Sequence, residues 1–153
     1  IILELYRRAE IPVKIGDTGA VIPNVTRSLF NVYRIVILNV GILEIGAIGP
    51  SIETAMNWLD GNFRCLCREK MDVVYLYLNF EEPDSIAIVE HCIQRGFIFS
   101  GVAPDAFAGG DAILMQYLNL PEDPFANLTV WTDTAALLRD FIQEERNKLE
   151  TSY

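Results

Sequence analysis

The stretch Val73-Val74-Tyr75-Leu76-Tyr77-Leu78 constrains this chain more than any other. It offers no face to water, and its β-branched and aromatic residues suit a pleated backbone, so it reads as a strand deep in a sheet covered on two sides. Upstream, Ser51 is placed to cap a helix whose Ile52, Met56, Leu59, Phe63 and Leu66 recur at steps of four and three and form one apolar stripe. Downstream, Pro83 is expected at a first helical position, with Glu81, Glu82 and Asp84 around the positive end of that helix and Ile86, Val89 and Ile93 facing the core. Arg95 and Gly96 close it. Strands from Phe97 to Val102 and from Ala112 to Tyr117 follow, joined by a turn rich in Pro and Gly. A last helix spans Thr134 to Leu149, with Leu137, Leu138, Phe141 and Ile142 inward. Strands that alternate with long helices and end in a run of strands predict an α/β domain, a central mixed β-sheet flanked by helices on both faces.

Ahead of that region, Ile2, Leu5 and Tyr6 fit a helix over Ile1–Ala9 that Pro12 stops, and Gly16–Gly19 reads as a turn. Val25–Val40 is expected to be a hairpin broken near Phe30-Asn31, with Tyr33–Leu38 as its better strand; Gly41, Gly46 and Gly49-Pro50 punctuate the chain after it. At 153 residues the whole chain, 1–153, is expected to be a single domain. It opens in mid-helix without an initiator Met, which suggests a piece of a longer protein.

Charge excludes some partners. Lys and Arg number 12 against 21 Asp and Glu, a net charge of -9, and no basic cluster interrupts the acidity, so neither nucleic acid nor an anionic membrane is an expected partner. The longest apolar region, Ile35–Gly49, contains Asn39 and Glu44 and falls short of the ~20 residues a spanning helix needs. Three cysteines do not complete a disulfide framework, which favours a reducing, cytoplasmic setting. Asn24-Val25-Thr26 and Asn127-Leu128-Thr129 match the glycosylation sequon, but with no secretion signal visible they are expected to go unused.

The order strand, glycine turn, helix, strand, helix ending in Gly-Phe, strand, strand resembles the second half of the GNAT family of N-acyltransferases. The helix ending there is Tyr, three residues, then Gly-Phe; here Cys92-Ile93-Gln94-Arg95-Gly96-Phe97 occupies that place. A closer resemblance is to the GNAT-like C-terminal domains that follow histidine-kinase-type ATPase modules in regulatory proteins similar to anti-sigma factors. Those carry Gly-Phe-Phe-Phe-x-Gly-x-x-Pro, then an Asp leading into a Gln-Tyr-Leu strand. This chain has Gly96-Phe97-Ile98-Phe99-Ser100-Gly101-Val102-Ala103-Pro104 and Asp111-Ala112-Ile113-Leu114-Met115-Gln116-Tyr117-Leu118.

The resemblance implies acetyl-coenzyme A as a cofactor to test for. In the family, Arg or Gln followed by x-x-Gly-x-Gly or Ala binds the coenzyme A diphosphate through backbone N–H groups at a helix N-terminus. Gly46-Ala47-Ile48-Gly49-Pro50-Ser51 is the matching turn, but Pro50 removes a donor and no Lys or Arg lies between Arg34 and Arg64. Cys92 falls where many of these enzymes place the tyrosine that protonates the departing thiolate. A thiol is able to serve as that acid in principle, although cysteine is more often a small buried hydrophobe.

Other constellations carry less. Cys65 and Cys67 on a helix point about 200° apart and cannot share a metal, so no metal site is expected. His91 reads as a partly buried, hydrogen-bonded histidine, and Trp58 and Trp131 as core or rim packing. In the loop from Pro104 to Asp111, Phe107 amid small residues fits either a contact or lid over a cleft or a hairpin that tucks it onto the sheet; Asp111 closes the loop. Together these readings favour a non-catalytic or ligand-sensing regulatory module on an acyltransferase-like scaffold, partnered by an upstream ATPase or signalling domain. An acyl-coenzyme A N-acyltransferase is the alternative, and an oligomerisation module, such as a homodimer, the third.

Overall fold

Residues 29–49, 51–108, 110–120 and 128–150 are described by a computed structural model. The expected helix over Ile1–Ala9, the turn at Gly16–Gly19 and both sequon asparagines lie outside them. In chain order the elements are β1 (Phe30–Ile35), β2 (Val40–Ile45), α1 (Ile52–Arg68), β3 (Val73–Asn79), α2 (Ser85–Ile93), β4 (Ile98–Phe107), β5 (Gly110–Leu118) and α3 (Asp133–Glu150). They make an α/β fold on one mixed five-stranded sheet of order β1-β2-β3-β5-β4, in which β2 and β3 run parallel through α1 and the other neighbours are antiparallel. None of the described helices is long and apolar enough to cross a membrane.

The apolar strand takes the middle of the sheet, and its register explains the core. Val32, Leu43, Leu76 and Met115 form one rung across the strands; Phe30, Ile45, Leu78 and Ile113 form the next, and Arg34, Gly41, Val74 and Tyr117 a third. Side chains alternate along a strand, so all three rungs share one face. Val74, Leu76 and Leu78 are wholly buried there, while Val73, Tyr75 and Tyr77 on the other face are half-buried. Helix α1 lies over the three rungs. Trp58 stacks on Phe30 with ring centroids 5.0 Å apart, Phe63 meets Tyr117 edge-on at 4.8 Å, and Leu59 and Leu66 are fully enclosed.

Ser51 caps α1 as expected, its hydroxyl accepting the Thr54 N–H at 3.4 Å. The end of α2 follows the sequence too. Gly96 takes the left-handed φ of +85°, donating its N–H to Ile93 at 2.9 Å while Phe97 donates to Cys92 at 3.0 Å. This paired ending satisfies two orphan carbonyls, and a β-carbon on Gly96 would stand 3.3 Å from the Tyr117 ring. The Gly-Phe pair therefore has a backbone and a packing reason, since Phe97 is fully buried against Phe63.

Several expectations are corrected. The hairpin break is not at Phe30-Asn31 but at Val36–Leu38, a 3-10 turn that leaves the sheet and returns through Asn39 at φ 53°. Asn39 is held from outside the hairpin: its carbonyl accepts the Asp72 N–H at 2.8 Å and its side chain donates to the Lys70 carbonyl at 2.9 Å. Parallel pairing of Val40 with Val73 thus overrides the β-propensity of Val36-Ile37-Leu38. Gly41 is inside β2 rather than punctuation.

Helix α2 starts at Ser85, two residues after Pro83, because Asn79 Oδ1 accepts the Glu81 N–H at 3.0 Å and Ser85 donates to the Glu82 carbonyl at 3.0 Å, closing a turn first. Its buried face is Ser85, Ile88 and Cys92, not Ile86, Val89 and Ile93; Ile86 is 64% exposed. The helix is apolar nearly all round, so spacing fits more than one stripe. In α3, Ile142 is buried and Phe141 meets Phe99 edge-on, but Leu137 faces outward, and Trp131 just before the helix is 92% exposed. This helix touches the sheet at β4, so its buried stripe is narrow.

A β-carbon on Gly41 would stand 2.7 Å from Leu66 Cδ1, inside a packed core with no slack. Gly41→Ala is expected to destabilise the fold by about 1–3 kcal/mol, read as a lower urea midpoint at unchanged slope.

Candidate functional site

The parallel pair β2 and β3 ends where an open α/β sheet most often receives ligands, outside the carboxyl ends of its strands. Two stretches singled out in the sequence meet at this end. The Gly46–Ser51 turn leaves β2 and enters α1, and the β4–β5 hairpin folds over so that the Phe107 ring lies 3.4 Å from where a Gly46 β-carbon would stand. Phe107 pairs with Gly110 across the hairpin and is half-buried, so the hairpin tucks it back onto the sheet. Asp111 supports the turn. Its carboxylate accepts the Asp105 N–H at 2.9 Å and its carbonyl accepts the Phe80 N–H at 2.9 Å.

The turn itself is held from three sides. Gly46 donates to the Leu29 carbonyl at 3.0 Å and accepts from the Asn79 side-chain amide at 3.0 Å. Ile48 is buried, and its N–H donates to Glu82 Oε2 at 3.0 Å. Gly49 takes φ 77°, a left-handed conformation, and Ser51 is spent on its cap. Glu82 was expected to answer the dipole of its own helix; it crosses to the neighbouring turn instead. A backbone N–H of the kind an anion uses is therefore occupied by the chain's own carboxylate in a charge-assisted bond. The segments 46–51, 79–84 and 103–111 contain no Lys, Arg or His.

Cys92 lies elsewhere. It is fully buried near the far end of α2, and burial pushes its thiol up to about 12, an effect that nearby Arg95 partly opposes. Such a thiol neither ionises near neutral pH nor reaches solvent. Cys65 is exposed on α1, Cys67 is half-buried with its pKa raised by burial, and the described residues contain no cluster of His, Cys, Asp and Glu able to hold a metal.

Sequence reasoning missed a second polar cluster, on the α1–α2 seam. Asp60 Oδ1 sits 3.0 Å from His91 Nε2, Arg95 Nη2 donates to Asp60 Oδ2 at 2.5 Å, and Arg95 Nε also meets Asp60. Arg95 further donates to the His91 carbonyl at 3.1 Å. Burial pushes the Asp60 carboxyl up, but the hydrogen bonds from Arg95 and His91 outweigh it and hold the group below its usual range. The Cys92 thiol nearby is buried and held protonated, so the cluster's role is that of a latch between helices. The signal was available as Asp60, His91 and Arg95 on facing helices, but only the crossing geometry pairs residues 31 and 35 positions apart.

No family model, curated protein or solved structure matches this chain.

Two outcomes follow. With the native protein, a chromogenic disulfide reagent is expected to modify Cys65 at once and Cys67 slowly, and Cys92 only after denaturant is added. Asp60 has its folded pKa below the unfolded value of about 3.9, so its contribution is complete above that value and is lost as pH falls through the folded one. Asp60→Asn is expected to cost about 1–3 kcal/mol at neutral pH and to flatten the decline of melting temperature below about pH 4.

Proposed function

We propose that this chain is a non-catalytic, ligand-sensing or interaction module on an acyltransferase-like scaffold, attached to a signalling or ATPase partner. The observation that carries the reading is the Ile48 N–H bond to Glu82. A coenzyme A diphosphate at the Gly46–Ser51 turn needs main-chain donors and positive charge. It would meet a carboxylate on one donor, Pro50 in place of another, and no basic side chain in the segments that form this end. A phosphate oxygen about 4 Å from that carboxylate faces a repulsion of about 4 kcal/mol at an effective dielectric near 20.

Support for the scaffold comes from the order β2, glycine turn, α1, β3, α2, Gly-Phe, β4, β5, which is the order that the resemblance to the GNAT family rests on. The same reading has helices on both faces of the sheet. Cys92 supplies packing in it rather than a proton, consistent with its enclosure and raised pKa.

The test is acetyl-coenzyme A binding by calorimetry. No saturable heat is expected up to about 1 mM ligand, a limit that corresponds to about -4 kcal/mol of binding free energy. Saturable binding that Gly49→Asp abolishes, with acyl transfer to a primary amine, would overturn the reading in favour of a transferase. Aspartate tolerates the left-handed backbone at that position better than most residues, so the substitution tests charge more than fold.

A further inference from the structure

The two ends of the sheet carry opposite characters, and each bears exposed apolar side chains. At the end where β2 begins, the 3-10 turn presents Val36, Ile37 and Leu38 at 77%, 97% and 65% exposure. Three consecutive aliphatic residues in water are costly in a single chain and mark a contact surface when they cluster. Charge beside them is basic. Asn39 ties the turn to Lys70, and Lys70 and Arg68 are exposed at the end of α1 with no ion-pair partner among the described residues. Arg34 is neutralised by Glu69, which accepts from it at 2.6 and 2.8 Å, and among the described residues half-buried Asp72 is the other acid beside this turn.

The end where β2 and β3 finish is the converse. Leu29 and Phe80 are each 42% exposed, and among the described residues this end carries the exposed acids Glu81, Asp84 and Asp105. The two patches are separated by the length of β2, roughly 20 Å, at opposite ends of one sheet.

We propose that the chain associates head to tail with a second copy of itself. The Val36–Leu38 turn of one copy packs on Leu29 and Phe80 of the next, while Arg68 and Lys70 face Glu81 and Asp84. Charge complementarity selects this occupant: each end offers what the other lacks. The net charge of -9 opposes approach at long range, but at physiological salt that repulsion is screened beyond about 8 Å, whereas the end-to-end contact acts within it. It also disfavours an anionic lipid surface, which would confront the whole acidic chain. A contact between unlike surfaces leaves one of each unsatisfied, so assembly continues into a ring or a filament rather than stopping at two. The inference does not rest on the proposed function.

Sedimentation velocity on the full chain tests it, from about 10 µM to about 1 mM. Ile37→Ser with Leu38→Ser disables one end; Glu81→Lys with Asp84→Lys disables the other. All four positions are exposed, and circular dichroism checks that both variants fold. The wild-type chain is expected to form species that grow with concentration, and each variant alone to lose association by at least about tenfold. An equimolar mixture of the two variants is expected to give dimers and nothing larger, because one working contact remains per pair. A wild-type chain that stays monomeric throughout overturns the proposal. So does association that either variant leaves intact, or a mixture of folded variants that remains monomeric, the mark of a symmetric interface or a different occupant.

Discussion

Closing water off from one face of β3 is the constraint on which the rest of this structure depends. Val74, Leu76 and Leu78 have no exposure, and the rungs they share with β2 and β5 are covered by α1. Each fully buried aliphatic side chain contributes about 1.5–3 kcal/mol, while a folded domain keeps only about 5–15 kcal/mol in hand, so a few such residues decide whether the fold exists. Laying α1 over the rungs fixes where the helix begins, and hence places the Gly46–Ser51 turn at the carboxyl end of the parallel pair. The candidate site is a by-product of covering the core.

Close approach is the second theme. Gly41 makes room for Leu66 and Gly96 for Tyr117, whereas a β-carbon on Gly46 would stand in ordinary contact with Phe107. At Gly96 the left-handed backbone adds its own demand. A glycine in a turn ahead of a helix usually invites a functional reading, phosphate binding above all. Here packing accounts for Gly41 and Gly96, and the turn from Gly46 to Ser51 has its Ile48 donor answered by Glu82.

Charge is distributed by the same geometry. Asp60, His91 and Arg95 are drawn into the α1–α2 seam, where they lock the two helices and leave little to offer a ligand. Among the described residues, Glu81, Asp84 and Asp105 are exposed at the end of the sheet that also holds Phe107, and Arg68 and Lys70 at the opposite end beside Val36–Leu38. This division of charge and exposed apolar surface is what the proposed interaction module and the proposed head-to-tail association rest on.

Much of the fold was legible in the sequence because it is written in local chemistry. The unbroken apolar run marked β3, the serine before a stripe at steps of four and three marked α1, and Arg95-Gly96 marked the end of α2, each through a backbone rule that acts within a few residues. The start and face of α2 were not legible, because a helix apolar on nearly all sides has no preferred stripe until a neighbour packs on it. The break at Val36–Leu38 was hidden for a related reason: its residues favour strand, and only the distant α1–β3 connection, bonded to Asn39, bends them away. Of the site, sequence supplied the pieces, the Gly46–Ser51 turn and the Phe107–Asp111 loop, because glycine and proline betray turns. That the two meet, and that Glu82 fills the place between α1 and its own helix, was decided by tertiary structure alone, since partners 34 positions apart are chosen by the register of the sheet and not by anything near them in the chain.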